Sequence, residues 1–122
     1  MINRMDDSRP IFLQIAEKIE NDIIEGVLPE ESQVPSTNQF AAFYQINPAT
    51  AAKGVNELVD QGILYKKRGI GMFVKEGSRS VLIEKRKALF YDQYVLSMLR
   101  EAQKLGITNA EVADMIRKGE NG

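Results

Sequence analysis

Residues 35–62, "PSTNQFAAFYQINPATAAKGVNELVDQG", hold two helix starts with barely a turn of chain between them. Ser36 reads as an N-cap, and Gln39 three residues on completes a capping box over a short helix from Thr37 to about Tyr44. "QIN" makes the turn. Asn47 is a second N-cap, and Pro48 takes the first helical position, where its missing N–H is no loss. The helix it opens runs to about Gln61 and stops at Gly62. Two short capped helices joined by a tight turn form the helix-turn-helix layout.

What flanks this pair fits the same layout. Upstream, Pro10 is placed to open a helix at its first turn, preceded by Ser8 or Arg9. Phe12, Ile15, Ala16, Ile19 and Ile23 then keep helical spacing until Gly26. That stripe is core packing. "VLPEESQVP" reads as a loop bounded by Pro29 and Pro35. Phe40, Ala41 and Phe43 of the second helix are available for burial, and Val55, Leu58 and Val59 can anchor the third. The first turns of the third helix carry Ala49, Ala51, Ala52 and Gly54. So little bulk suits tight helix packing and close approach to DNA equally well.

Downstream, "GILYKKRGIGMFVKEG" reads as two strands, 63–67 and 72–75, joined through Arg68, Gly69, Ile70 and Gly71. A hairpin directly after a helix-turn-helix is a wing. Three adjacent cations are usually a solvated surface run. Here Lys66, Lys67 and Arg68 stand beside an unhindered Gly69 at a hairpin tip, suited to a phosphate backbone or a minor groove.

After "KEGSRS" a long helix is expected from near Ser80 to Leu105, closed by Gly106. Val81, Ala88, Val95 and Ala102 recur every seven residues, Tyr91, Met98 and Leu105 fall on the same broad face, and Leu89, Leu96 and Leu99 widen it. Thr108 and Glu111 then cap a final helix carrying Val112, Met115 and Ile116. Two helices cannot bury that much apolar surface on each other. The simplest cover is a second copy related by a two-fold axis, although packing back on the first helix could absorb part of it.

Composition removes most chemistry. With no His and no Cys there is no Ser-His-Asp triad, cysteine nucleophile, disulfide framework or ordinary zinc site. The acidic residues lack EF-hand spacing, and no Walker A loop or GxGxxG is present, so no metal, cofactor or catalytic residue is expected. The first ten residues lack the apolar region of a secretory signal, and no apolar run is long enough for a membrane span. Cytoplasmic location is the expectation. The net charge of −1 hides an asymmetry: residues 17–31 carry six acidic side chains against Lys18, whereas residues 53–75 carry five cations against Glu57 and Asp60.

Four motifs in this order and spacing resemble the GntR transcriptional regulators of bacteria. They are the P-S-x-x-x-[LF]-A start of the second helix, the N-P-x-T start of the third, the D-x-G-[IL] exit, and the R-G-x-G-x-F wing. The resemblance covers nearly the whole chain, and a tail of about two helices is similar to their smallest branch, the YtrA-like proteins. It implies a homodimer on double-stranded operator DNA, most simply a repressor, with the third helix (48–61) in the major groove and the wing (63–75) on the adjacent minor groove. Family contacts carry over to Ser36, Thr37, Asn38, Asn47, Pro48, Ala49, Thr50, Ala52, Lys53, Arg68 and Gly69. Many relatives have arginine where this chain has Asn38 and Ala52, and neither neutral residue can pair bidentately with guanine. Site choice should then lean on Asn47, Thr50 and Lys53. The resemblance also implies an effector, with room only for a small apolar pocket near Tyr91 or Tyr94.

The expected architecture is mainly α with a small β-hairpin. A winged helix-turn-helix DNA-binding domain (1–77) is followed by a helical dimerisation tail (78–122), whose contacts would come from Val81, Ala88, Tyr91, Val95, Met98, Ala102 and Leu105. Two rivals are a winged-helix module that binds protein and an enzyme with a hard-cation carboxylate site.

Overall fold

The computed structural model describes residues 5–120. Residues up to Ile83 form one compact unit, and residues from Glu84 onward form a second.

The first unit is built on α1 (Ile11–Ile24), which turns Ile15, Ala16, Ile19 and Ile23 inward at intervals of one helical turn. Pro10 stands at the N-cap, one residue outside the position expected for it. Helix α2 (Thr37–Tyr44) opens on the expected capping box: the Ser36 hydroxyl accepts from the Gln39 amide at 3.1 Å, and the Gln39 side chain accepts from the Ser36 amide at 2.7 Å. Phe40 and Ala41 enter the core, whereas Phe43 stays half exposed, edge-on against Tyr44. Helix α3 (Pro48–Asp60) begins at Asn47, whose Oδ1 accepts from the Ala49 amide at 2.7 Å, with Pro48 inside the first turn. Ala51, Val55 and Leu58 face the core.

The crossing of α3 over α1 resolves the ambiguity of the small residues. A Cβ on Gly54 would fall 2.6 Å from the Phe12 carbonyl oxygen and 2.8 Å from the Ile15 Cβ. Ala51 is fully buried, while Ala49 is exposed and Ala52 half-buried. Ala51 and Gly54 thus serve helix packing, and Ala49 and Ala52 are left on the outer side.

Strands β1 (Leu64–Lys67) and β2 (Gly71–Val74) pair antiparallel, with Leu64 opposite Val74, Tyr65 opposite Phe73, Lys66 opposite Met72 and Lys67 opposite Gly71. The supposed loop before α2 is partly sheet-like. The Val34 amide donates to Met72 O at 2.9 Å, the Val74 amide to Ser32 O at 3.0 Å, and Gln33 bridges Phe73. Residues 31–34 therefore line the free side of β2. A propensity reading misses this because such edge pairing is fixed by tertiary position.

Helix α4 (Ser78–Phe90) is anchored at its start by Ser78, whose buried hydroxyl donates to Ile63 O at 2.7 Å, and by Leu82 in the core. The long helix expected from Ser80 to Leu105 is present as one uninterrupted helical run from Ser78 to Leu105, but it is not α-helical throughout. A π-helical turn, Tyr91–Val95, separates α4 from α5 (Leu96–Leu105). The extra residue of a π turn rotates everything after it by about 100° relative to an unbroken α-helix, so the seven-residue repeat does not mark one continuous face. Helix α6 (Asn109–Glu120) follows the Thr108–Glu111 capping box, with both bonds in place at 2.9 and 3.1 Å. Among the described residues from Glu84 onward, Ala102 and Val112 are the buried apolar side chains.

Candidate nucleic-acid interface

Three stretches expected to meet DNA lie at exposed helix starts and a hairpin tip. At the start of α2, Ser36 and Asn38 are exposed and Thr37 is half-buried. The Ser36 Oγ accepts one bond from the helix and keeps its hydroxyl hydrogen and a second lone pair to offer outward. At the start of α3, Asn47, Pro48 and Ala49 are exposed and Thr50 is half-buried. Asn47 spends its side-chain oxygen on the cap, which leaves its amide N–H groups to reach an acceptor.

Lys53, one turn further along α3, is exposed, and its Nζ sits 4.1 Å from the centroid of the Phe12 ring. The half-buried ring, from the other helix of the Gly54 crossing, gives the ammonium a resting place on α1.

In the wing, Lys66, Lys67, Arg68 and Gly69 are all exposed. The turn is closed by the Ile70 amide donating to Lys67 O at 2.9 Å, with Gly69 at φ +77°. Strand alternation separates the two lysines. Lys66 shares its face with Leu64, whose side chain is buried, while Lys67 shares its face with Tyr65 and Phe73. The Lys67 Nζ lies 4.3 Å from the Phe73 ring centroid, and the Phe73 and Tyr65 rings stack at 6.0 Å. The Tyr65 hydroxyl donates to Glu31, and that bond holds the phenol above its ordinary pKa. The wing cations thus address two directions.

One contributor was invisible in the sequence. The Gln33 side-chain amide donates to Ile70 O at 3.1 Å, inside the wing turn. The available signal was the alternation of Ser32, Gln33 and Val34 just before Pro35, too short to identify as a strand.

In the tail, Val81, Ala88, Tyr91, Met98 and Leu105 are exposed and Val95 is half-buried. Ala102 is covered by its own chain, 6% exposed. Met98, Ala102, Leu105, Ile107, Val112 and Met115 line an apolar groove of about 360 Å³ along α5 and α6. Phe90 and Tyr94, at the π turn, lie ring to ring at 5.5 Å and are largely exposed. Among the described residues no cluster of acidic side chains is arranged to hold a metal ion, and no helix is long and apolar enough to cross a membrane.

Residues 12–74 match the family described as bacterial regulatory proteins, gntR family. The chain is 24% identical to the HTH-type transcriptional repressor YtrA of Bacillus subtilis over 111 residues, 91% of this chain and 85% of that protein. Among solved structures it resembles a GntR family transcriptional regulator from Listeria monocytogenes, with a TM-score of 0.73 and 27% identity over 93% of this chain and 98% of the other. The DNA-binding domain of AraR in complex with operator ORX1 is similar over 57% of this chain and 86% of the other, at 28% identity and a TM-score of 0.52.

Proposed function

Because the chain belongs to the GntR family, and is accordingly a DNA-binding transcriptional regulator rather than an enzyme, we propose that it is a repressor that binds its operator as a homodimer. In this reading α3 enters the major groove from its N-terminal end, and the wing follows the neighbouring minor groove or backbone. One observation carries it: the exposed side of α3 is small at Ala49 and cationic at Lys53, and the exposed wing tip clusters Lys66, Lys67 and Arg68 beside a bare Gly69. AraR, similar over the winged helix, has been crystallised on operator DNA, and relatives such as YtrA are named as repressors.

Residues 1–77 are the DNA-binding domain and 78–122 the dimerisation tail. The likeness to YtrA over most of both chains supports the YtrA-like branch. Leu105, Met115 and Ile116 are each more than half exposed along the α5–α6 groove, a cost that a second copy removes. Met98 lines the same groove, and Val81, Ala88, Tyr91 and Val95 would supply further, separate dimer contacts. A small-molecule effector would compete for the same apolar surface or sit at Tyr91 and Tyr94. The protein works in the cytoplasm without a cofactor.

The test is fluorescence anisotropy with DNA from upstream of the protein's own gene, beside a scrambled duplex, at several salt concentrations. Two subunits bring eight cations from Lys53, Lys66, Lys67 and Arg68. With about five to eight of them on phosphates, log K falls against log salt with a slope of roughly −5 to −7. Weak, equal binding to both duplexes would mean either that an effector must first license the dimer or that the winged helix serves a protein partner.

A further inference from the structure

The wing turn is short, and its own closing bond is the one from the Ile70 amide to Lys67 O. A second tie comes from outside the hairpin. Gln33 lies on the segment that borders β2, and its side-chain amide reaches Ile70 O at 3.1 Å. The site is shaped for that side chain. A Cβ on Gly71 would stand 2.5 Å from the Gln33 Nε2, so only glycine at this position lets the amide lie against the turn. Gly71 also holds φ +148°, a conformation that side-chain-bearing residues avoid. Two residues past Gln33 the chain reaches Pro35, and the next residue, Ser36, caps α2.

Resting on the DNA-binding reading above, we propose that Gln33 is a positioning residue: it fixes the wing tip, Arg68 and Gly69, relative to the start of α2, so that both meet one DNA backbone without rearrangement. Gln33 is exposed and contributes no buried surface to the core. Its value lies in the order it imposes on a loop that would otherwise lose conformational freedom on binding. Gly71 is its structural counterpart, since a Cβ there would force the amide to shift from its place against the turn.

The test is a double-mutant cycle on DNA affinity between Gln33→Ala and Arg68→Ala, with backbone 15N relaxation of Gly69 and Ile70 in the free protein. Gln33→Ala is expected to weaken operator binding by about threefold to tenfold, the range set by losing one hydrogen bond. It should lower the melting temperature only slightly, as fits one exposed hydrogen bond, and raise fast motion at Gly69. On top of Arg68→Ala, Gln33→Ala should add little, because the contact it positions is gone. Full additivity would overturn the proposal, since Gln33 would then act independently of the wing tip, and so would unchanged relaxation. If Arg68→Ala alone has no effect on affinity, the wing reading itself fails, and the relaxation data still decide whether Gln33 holds the turn.

Discussion

The Lys53 ammonium rests 4.1 Å above the Phe12 ring, which ties the cation of α3 to the helix that α3 crosses. At an exposed site this contact is worth about 0.5–1 kcal/mol, too little to hold the lysine against a phosphate. Lys53→Met keeps the apolar stem on the ring and removes the charge. It should leave thermal stability nearly unchanged, while a dimer with both lysines on phosphates loses roughly 1.8 from its salt slope. Affinity measured across a salt series checks this, and an unchanged slope would mean that Lys53 stays on α1 in the complex.

Asn47 does two jobs that substitution can separate. Asn47→Ala removes the bond to the Ala49 amide and should cost about 1 kcal/mol of stability in urea unfolding. Asn47→Ser keeps an N-cap and should recover that stability without recovering preference for operator over random DNA. Full recovery of both by serine would show that the cap is all this residue supplies.

Gly54→Ala sets helix propensity against packing. Alanine in a helix interior gains up to about 1 kcal/mol over glycine. The new methyl would, however, meet the Phe12 carbonyl oxygen at 2.6 Å, and a backbone atom cannot swing aside as a side-chain end can. Overpacking of this kind costs roughly 1–3 kcal/mol, so the variant should be less stable by urea unfolding. A more stable variant would mean that α1 and α3 part easily.

The cap of α6 is sensitive to acid. Hydrogen bonds from Thr108, first its backbone N–H and then its hydroxyl, hold the Glu111 carboxyl below its ordinary value of 4.5. A group whose pKa is depressed on folding contributes stability that is present above its unfolded pKa and lost as pH falls through its folded one. The start of α6 should therefore fray as pH drops below about 4.5, seen in the Thr108 and Glu111 amide shifts. Glu111→Gln keeps the acceptor and should flatten that response; an equally steep response in the variant would place its origin elsewhere.

Helix starts were legible because a cap is local chemistry. Ser36 with Gln39, Asn47 with Pro48, and Thr108 with Glu111 each take the part their residue types imply. Features that depend on distant partners were not. Nothing near Ala51 and Gly54 says that α1 will cross there, and nothing in residues 31–34 says that β2 will lie alongside. The π turn at Tyr91–Val95 was hidden for another reason. Its residues suit an α-helix as well, and one inserted position leaves hydrophobic spacing almost intact on either side. In the candidate interface the residue types were readable, but the opposite facing of Lys66 and Lys67 and the reach of Gln33 emerge only from register and tertiary contact.

The flanking of β2 by residues 31–34 on one side and β1 on the other leaves β1 as the outer strand. An open strand edge invites pairing with another molecule, which leads toward aggregation. Here that edge is only four residues long, and two of them are the consecutive lysines Lys66 and Lys67. Two such edges brought together would oppose like charges at close range. The cations proposed to draw the wing to nucleic acid thereby also keep that edge from pairing with its like, so neutralising them would bare a strand edge as well as weaken DNA binding.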